Sequence, residues 1–132
     1  MLSSYNEIPN FGVYSDQVQT IVQMNLNLVS EKNEALTGSM INNYVKNGMI
    51  EKPKDKKYFR DQLAKLIVIT YLKEVFSMDE IKKIISTFDS TEELYNNFKR
   101  ELDNIHISSD ENIFKKAIFS VEHKKSVLED WK

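Results

Sequence analysis

Asn42, Asn43, Lys46 and Asn47 lie within six consecutive positions, and their side chains are of the types that can read a nucleic acid. An asparagine amide pairs bidentately with adenine in the major groove, and a lysine ammonium reaches guanine or a phosphate. Helical spacing sets the four on adjacent turns of one short helix. Shortly downstream come Lys54, Lys56, Lys57 and Arg60, which could neutralise phosphates with a strongly salt-dependent contribution to affinity, and Tyr58 stands among them. The same residue types also make ordinary solvated surface in proteins that bind no nucleic acid, so composition alone leaves both readings open. Tyr44 and Tyr58 each read better as packing residues, burying a ring and exposing a hydroxyl, than as contacts.

Other chemistry finds little support. The chain has no cysteine, which excludes disulfides, thiolate nucleophiles and Cys-ligated metals. His106 and His123 are too far apart for a helical i, i+4 metal pair, and no glycine-rich phosphate loop or nucleophile elbow is present. Most Asp and Glu residues fall at helix starts, where they complement the helix dipole. The expectation is a protein that is no enzyme and needs neither metal nor cofactor.

Charge is segregated along the 132 residues behind a net charge of −2. Residues 46–65 carry seven basic side chains against three acidic ones, while residues 1–45 carry one against four and residues 66–132 ten against thirteen. The only basic stretch is therefore the middle one, which begins at Lys46 and holds the candidate residues other than Asn42 and Asn43 just before it. The start lacks the basic and apolar regions of a signal peptide, and the longest apolar stretch, Leu66 to Leu72, falls far short of the roughly 20 residues that cross a bilayer. The expected place is the cytoplasm, with no membrane partner.

Several elements must position these side chains. Residues 1–14 read as an extended arm packing on the domain. Ser15 caps a first helix with Val18, Ile21, Val22, Met24, Leu26, Leu28 and Val29 in its stripe, and Ser30 to Leu36 is a polar loop. Thr37 or Ser39 caps a short helix, Met40 to Asn47, which Gly48 stops by taking the left-handed conformation. Met49 to Tyr58 suits a short two-stranded wing turning near Pro53-Lys54-Asp55. Asp61 to Val75 is hydrophobic nearly all round, hence a buried central helix. Capping boxes at Ser77…Glu80, Ser90…Glu93 and Ser108…Glu111 open three more helices. Met24, Met40, Met49 and Met78 are expected as adaptable core.

The order Tyr44, Gly48, Pro53, Lys56-Lys57-Tyr58 and Phe76-Ser77-Met78-Asp79-Glu80-Ile81 resembles the DNA-binding domain of MerR-type regulators, with Lys56 where that family's wing carries arginine. From the Ser15 helix to about Phe88, the chain more closely resembles a bacterial family of MerR-like proteins catalogued as domain of unknown function 1836. The departures from MerR-type regulators are Asn42 and Asn43 in place of an Arg-Tyr pair, Val75 in place of glycine, and a longer loop before Ser39.

The resemblance implies a mainly α fold: a MerR-like winged helix-turn-helix over residues 15–88, with a small β wing and a C-terminal helical extension over 89–132, all in one domain. It implies a transcriptional regulator binding double-stranded DNA. The alternative is a protein-interaction adaptor that keeps the scaffold without the DNA contact, motivated by the missing Arg-Tyr pair. The aromatic stripes of the last two helices suit packing back on the domain, with some surface left for a compact homodimer. No residue names a small-molecule effector.

Overall fold

The computed structural model describes residues 2–28 and 35–107, and the chain divides into two compact units, Met1–Lys99 and Arg100–Lys132. Five α-helices occur among the described residues: α1 (Ser15–Asn27), α2 (Gly38–Lys46), α3 (Arg60–Leu72), α4 (Met78–Ser86) and α5 (Thr91–Ile107). A 3-10 turn, Tyr5–Glu7, precedes them. The protein is mainly helical. Of the second unit only residues 100–107, the last turns of α5, are described. Val29, residues 30–34 of the expected loop, the Ser108…Glu111 capping box, the helix it would open, His123 and the His106 side chain lie outside the described residues.

The centre of the first unit is α3, as its all-round hydrophobicity requires. Leu63, Leu66, Ile67, Val68 and Ile69 are buried there, and α1 packs on both α3 and α2. Val18, Val22 and Leu26 of α1 repeat at i, i+4, i+8 and form the facing stripe. Burying each such side chain contributes about 1.5–3 kcal/mol, so truncating a central one such as Leu66 would cost about 2–5 kcal/mol.

Helix ends follow local chemistry. Ser77 caps α4 by accepting from the Glu80 N–H at 3.2 Å, while Glu80 accepts from the Ser77 N–H at 2.8 Å, the reciprocal box expected there. Ser90 accepts from the Glu93 N–H at 3.1 Å before α5. Thr37, rather than Ser39, caps α2 through the Met40 N–H. The cap of α1 falls one residue before Ser15: Tyr14 is the extended N-cap residue, and its N–H donates to Gln17 Oε1 at 2.9 Å. α3 stops at Leu72, so Val75 is exposed rather than inward. Met24 is exposed too, while Met49 is core.

The arm is part of the core rather than a coating on it. Leu2, Ile8 and Val13 are buried. Its backbone is tied down at Ser3, whose N–H donates to Asn25 Oδ1 of α1 at 2.9 Å and whose carbonyl accepts from the Tyr95 hydroxyl of α5 at 2.6 Å. Tyr95 in turn lies 6.3 Å from the Tyr5 ring and 6.5 Å from Phe98, which stands edge-on to Tyr71 of α3 at 5.3 Å. These aromatic pairs link arm, α5 and α3 in one continuous layer.

The expected two-stranded wing takes another form. Lys54 and Lys57 exchange both backbone hydrogen bonds at 3.0 Å around Asp55 and Lys56, whose φ angles of 51° and 65° mark a turn of the I′ kind. Pairing goes no further on the near side, because the groups that would form the next hydrogen-bonded pair, the Lys52 carbonyl and the Phe59 N–H, are both taken by Gln62. On the far side Tyr58 pairs with the arm instead: it donates to the Val13 carbonyl at 2.7 Å and accepts from the Val13 N–H at 2.9 Å.

Candidate nucleic-acid interface

The amphipathic pattern of α2 dictates which side chains it shows. Ile41 and Tyr44 are buried, so Asn42, Asn43, Lys46 and Asn47 are left on the exposed side. Asn43 and Asn47, one turn apart, are coupled: Asn47 Nδ2 donates to the Asn43 carbonyl at 2.8 Å and to Asn43 Oδ1 at 3.0 Å. Asn42 and Lys46 form the parallel i, i+4 pair on this exposed side. The helix ends on a Schellman motif. Gly48, at φ +73°, donates to Val45 at 3.1 Å, and the Met49 N–H reaches back to Tyr44 at 2.9 Å. The chain then turns inward, since Met49 and Ile50 are both buried.

From there the chain reaches the basic turn over a short path. Lys54 comes seven positions after Asn47, so the two cannot lie more than about 25 Å apart. The root of that path is held by Gln62, a buried side chain of α3. Its Nε2 donates to the Glu51 and Lys52 carbonyls at 3.0 and 3.1 Å, and its Oε1 accepts from the Phe59 N–H at 2.7 Å. Lys65 adds an ion pair to Glu51 at 2.8 Å. Burial alone would raise the Glu51 carboxyl, but the hydrogen bond from Lys65, a backbone N–H and the lysine charge outweigh it, leaving the carboxyl below its usual value.

The basic residues divide into two groups. Lys54 and Lys56 are exposed on the turn, with Lys52 exposed just before it. Lys57 is half-buried, its ammonium 5.8 Å from the centroid of the Tyr14 ring. Arg60 is engaged with the arm: Nε donates to the Ile8 carbonyl at 2.9 Å, Nη2 to the Asn6 carbonyl at 3.1 Å, and the guanidinium sits 5.4 Å from the Tyr5 ring centre. Tyr58 is core, and burial pushes its phenol above the ordinary value. The structure therefore keeps Asn42, Asn43, Lys46, Asn47, Lys54 and Lys56 on the surface, sets Lys57 over the half-exposed Tyr14 ring, ties Arg60 to the arm, and buries Tyr58.

Gln62 and the arm residues Asn10 and Tyr5 carry weight that charge and periodicity do not reveal. Asn10 Oδ1 accepts from the Arg60 N–H at 3.1 Å, capping the start of α3 from fifty positions upstream. Tyr5 donates its hydroxyl to Asp61, and its pKa is pushed up to about 12, first by burial and then by the bond and charge of Asp61. The only available signal was the place of Gln62 at the third position of α3, where a glutamine can accept from the N-cap N–H. Among the described residues, no group of three His, Cys, Asp or Glu could hold a metal, and no helix is long and apolar enough to cross a membrane.

No curated protein and no solved structure matches this chain. Residues 3–105, the arm through nearly the whole of α5, match the family described as Domain of unknown function (DUF1836), and the chain belongs to that family.

Proposed function

We propose that the protein binds double-stranded DNA as a transcriptional regulator, with α2 as the reading helix of a MerR-like winged helix-turn-helix and the Lys54–Lys57 turn as a reduced wing. One observation carries the reading. The exposed side of α2 holds Asn42, Asn43, Lys46 and Asn47, all able to bond base edges, and the chain runs from its end directly into its only basic stretch, residues 46–65. The buried Ile41 and Tyr44 anchor that helix, and Gln62 anchors the path from it to the basic turn, so both could meet a duplex without reordering. On this reading Asn42 and Lys46 contact bases, Asn43 and Asn47 act as a coupled pair, and Lys52, Lys54 and Lys56 contact phosphates.

The test is fluorescence anisotropy with a labelled duplex from upstream of the protein's own coding region and an unrelated duplex, between about 50 and 200 mM salt. Binding whose logarithm falls linearly with log salt supports the proposal, and replacing Lys54 and Lys56 by alanine should flatten the slope by up to about two. Absence of binding to either duplex at the lowest salt overturns it.

A second reading, an adaptor for another protein, has one observation in its favour: Met24 of α1 and Leu28 at its C-terminal cap, one turn apart, are both exposed. Its signature would be a chain that ignores both duplexes yet binds a partner protein in a manner abolished by Met24→Lys.

A further inference from the structure

In an extended segment, residues i and i+2 lie on one face, so Phe11 should share the fate of Val13. It does not. Val13 is 2% exposed and Phe11 is 76% exposed. The intervening Gly12 has φ +83°, which reverses the alternation and turns Phe11 outward. The bend also fits glycine alone. A Cβ at position 12 would lie 3.1 Å from Lys57 Cδ and 3.2 Å from the Phe59 ring, in a backbone conformation that side chains disfavour anyway. An apolar ring in water is thus held there by a built feature, not left there by a loose end.

Its neighbours give the ring a chemical setting. The Val13–Tyr58 pairing lays Phe11 to Tyr14 alongside Lys57 to Phe59. Tyr14, 50% exposed, receives the Lys57 ammonium over its ring, and Lys54 and Lys56 stand exposed on the adjoining turn. From Lys52 to Lys57 there are four lysines against one carboxylate, that of Asp55. Exposed aromatic rings beside cations form a surface complementary to stacked bases within a phosphate backbone, and poorly suited to an apolar helix or a basic partner.

We infer that this arm–turn edge is a second DNA contact, in which Phe11 enters the minor groove as an apolar wedge while Lys54, Lys56 and Lys57 engage the flanking phosphates. The inference rests on the DNA reading of α2 and adds the arm to it. A minor groove about 6 Å wide excludes a helix but admits a single ring on a tight turn, and apolar wedges inserted there unstack a base step and bend the duplex. Tyr14 positions Lys57 and lies along the groove wall.

The experiment uses the full chain and a duplex of ~30 base pairs with an A·T-rich centre, labelled at both ends so that anisotropy reports binding and energy transfer reports bending. Wild type should bind and bring the ends closer. Phe11→Ala should bind about tenfold more weakly, with an unchanged salt slope, and lose the bend. Its melting temperature should stay that of wild type, since the ring is exposed. Phe11→Trp should retain affinity, with its added emission quenched on binding. If wild type binds but Phe11→Ala matches it in affinity and bend, the wedge is overturned and the α2 reading stands. If wild type binds no duplex, the α2 reading fails first and the wedge with it. If Phe11→Ala instead converts a dimer to a monomer in sedimentation, a second copy of the chain covers this edge and the inference is overturned.

Discussion

Arg60 Nε donates to the carbonyl of Ile8 at 2.9 Å, across 52 positions of sequence. That bond turns a residue expected on phosphate into the pin that holds the N-terminal arm against the start of α3. A guanidinium is suited to the task because its planar fork satisfies the Ile8 and Asn6 carbonyls together while its face lies over Tyr5. Arg60→Ala should therefore destabilise the fold by about 1–3 kcal/mol, in the range for charge-assisted hydrogen bonds. Urea unfolding measures the loss. The salt slope of DNA binding should not change, and a slope lowered by about one would return Arg60 to the phosphate contacts.

Gln62 makes the complementary contribution from inside α3. Its amide satisfies two carbonyls and one N–H of segments that no strand pairs. Gln62→Leu keeps the volume roughly constant and leaves those groups without partners, at a cost of about 1–3 kcal/mol. Because the Glu51–Lys52 segment is the root of the basic turn, the variant should also weaken duplex binding at temperatures where it remains folded. Hydrogen exchange comparing residues 49–58 with α3 provides the check: protection should fall in the first and persist in the second.

Local chemistry was legible in the sequence and distant pairing was not. The Ser77…Glu80 box and the Gly48 stop lie within a few residues of their partners, so composition at fixed spacing specifies them. The exposed side of α2 follows from the positions of Ile41 and Tyr44 for the same reason. The partners of Arg60, Tyr58 and Tyr5 lie about fifty positions away, and no periodicity encodes which of them meet. Met49 to Tyr58 reads as two strands pairing with each other because a turn with flanking apolar residues suggests a hairpin. The Gln62 bonds to the Lys52 carbonyl and the Phe59 N–H prevent that ladder, and Val13 supplies the strand partner from an arm whose apolar residues look isolated in sequence.

Tyr5 and Asp61 predict a loss of stability at alkaline pH. Burial, followed by the hydrogen bond and charge of Asp61, raises the Tyr5 phenol from 10.0 to about 12, so the fold favours the protonated form. A group whose pKa rises on folding lends its full stability below the unfolded value and loses it as pH climbs toward the folded one. The window here is pH 10.0 to about 12. The urea midpoint should fall across it for wild type and fall less for Tyr5→Phe. Absorbance near the tyrosinate band should show one phenol ionising earlier in Asp61→Asn, with part of the shift retained because burial remains.

Lys56 separates stability from function most cleanly. At φ 65° it occupies a left-handed position that costs a side-chain-bearing residue about 1–2 kcal/mol, with Asp55 at 51° beside it. Lys56→Gly relieves that strain and adds about 0.5–1 kcal/mol of unfolded-chain entropy against the fold, for a net gain of about 0.5–1 kcal/mol. Lys56→Ala keeps the strain and should be close to neutral. Both variants remove one exposed ammonium, so both should lower the salt slope of duplex binding by up to about one. A glycine variant that is more stable and yet binds DNA less steeply with salt would show that a charged side chain occupies a strained backbone for the sake of contact. Equal slopes in wild type and both variants would remove Lys56 from the interface while leaving the stability argument intact.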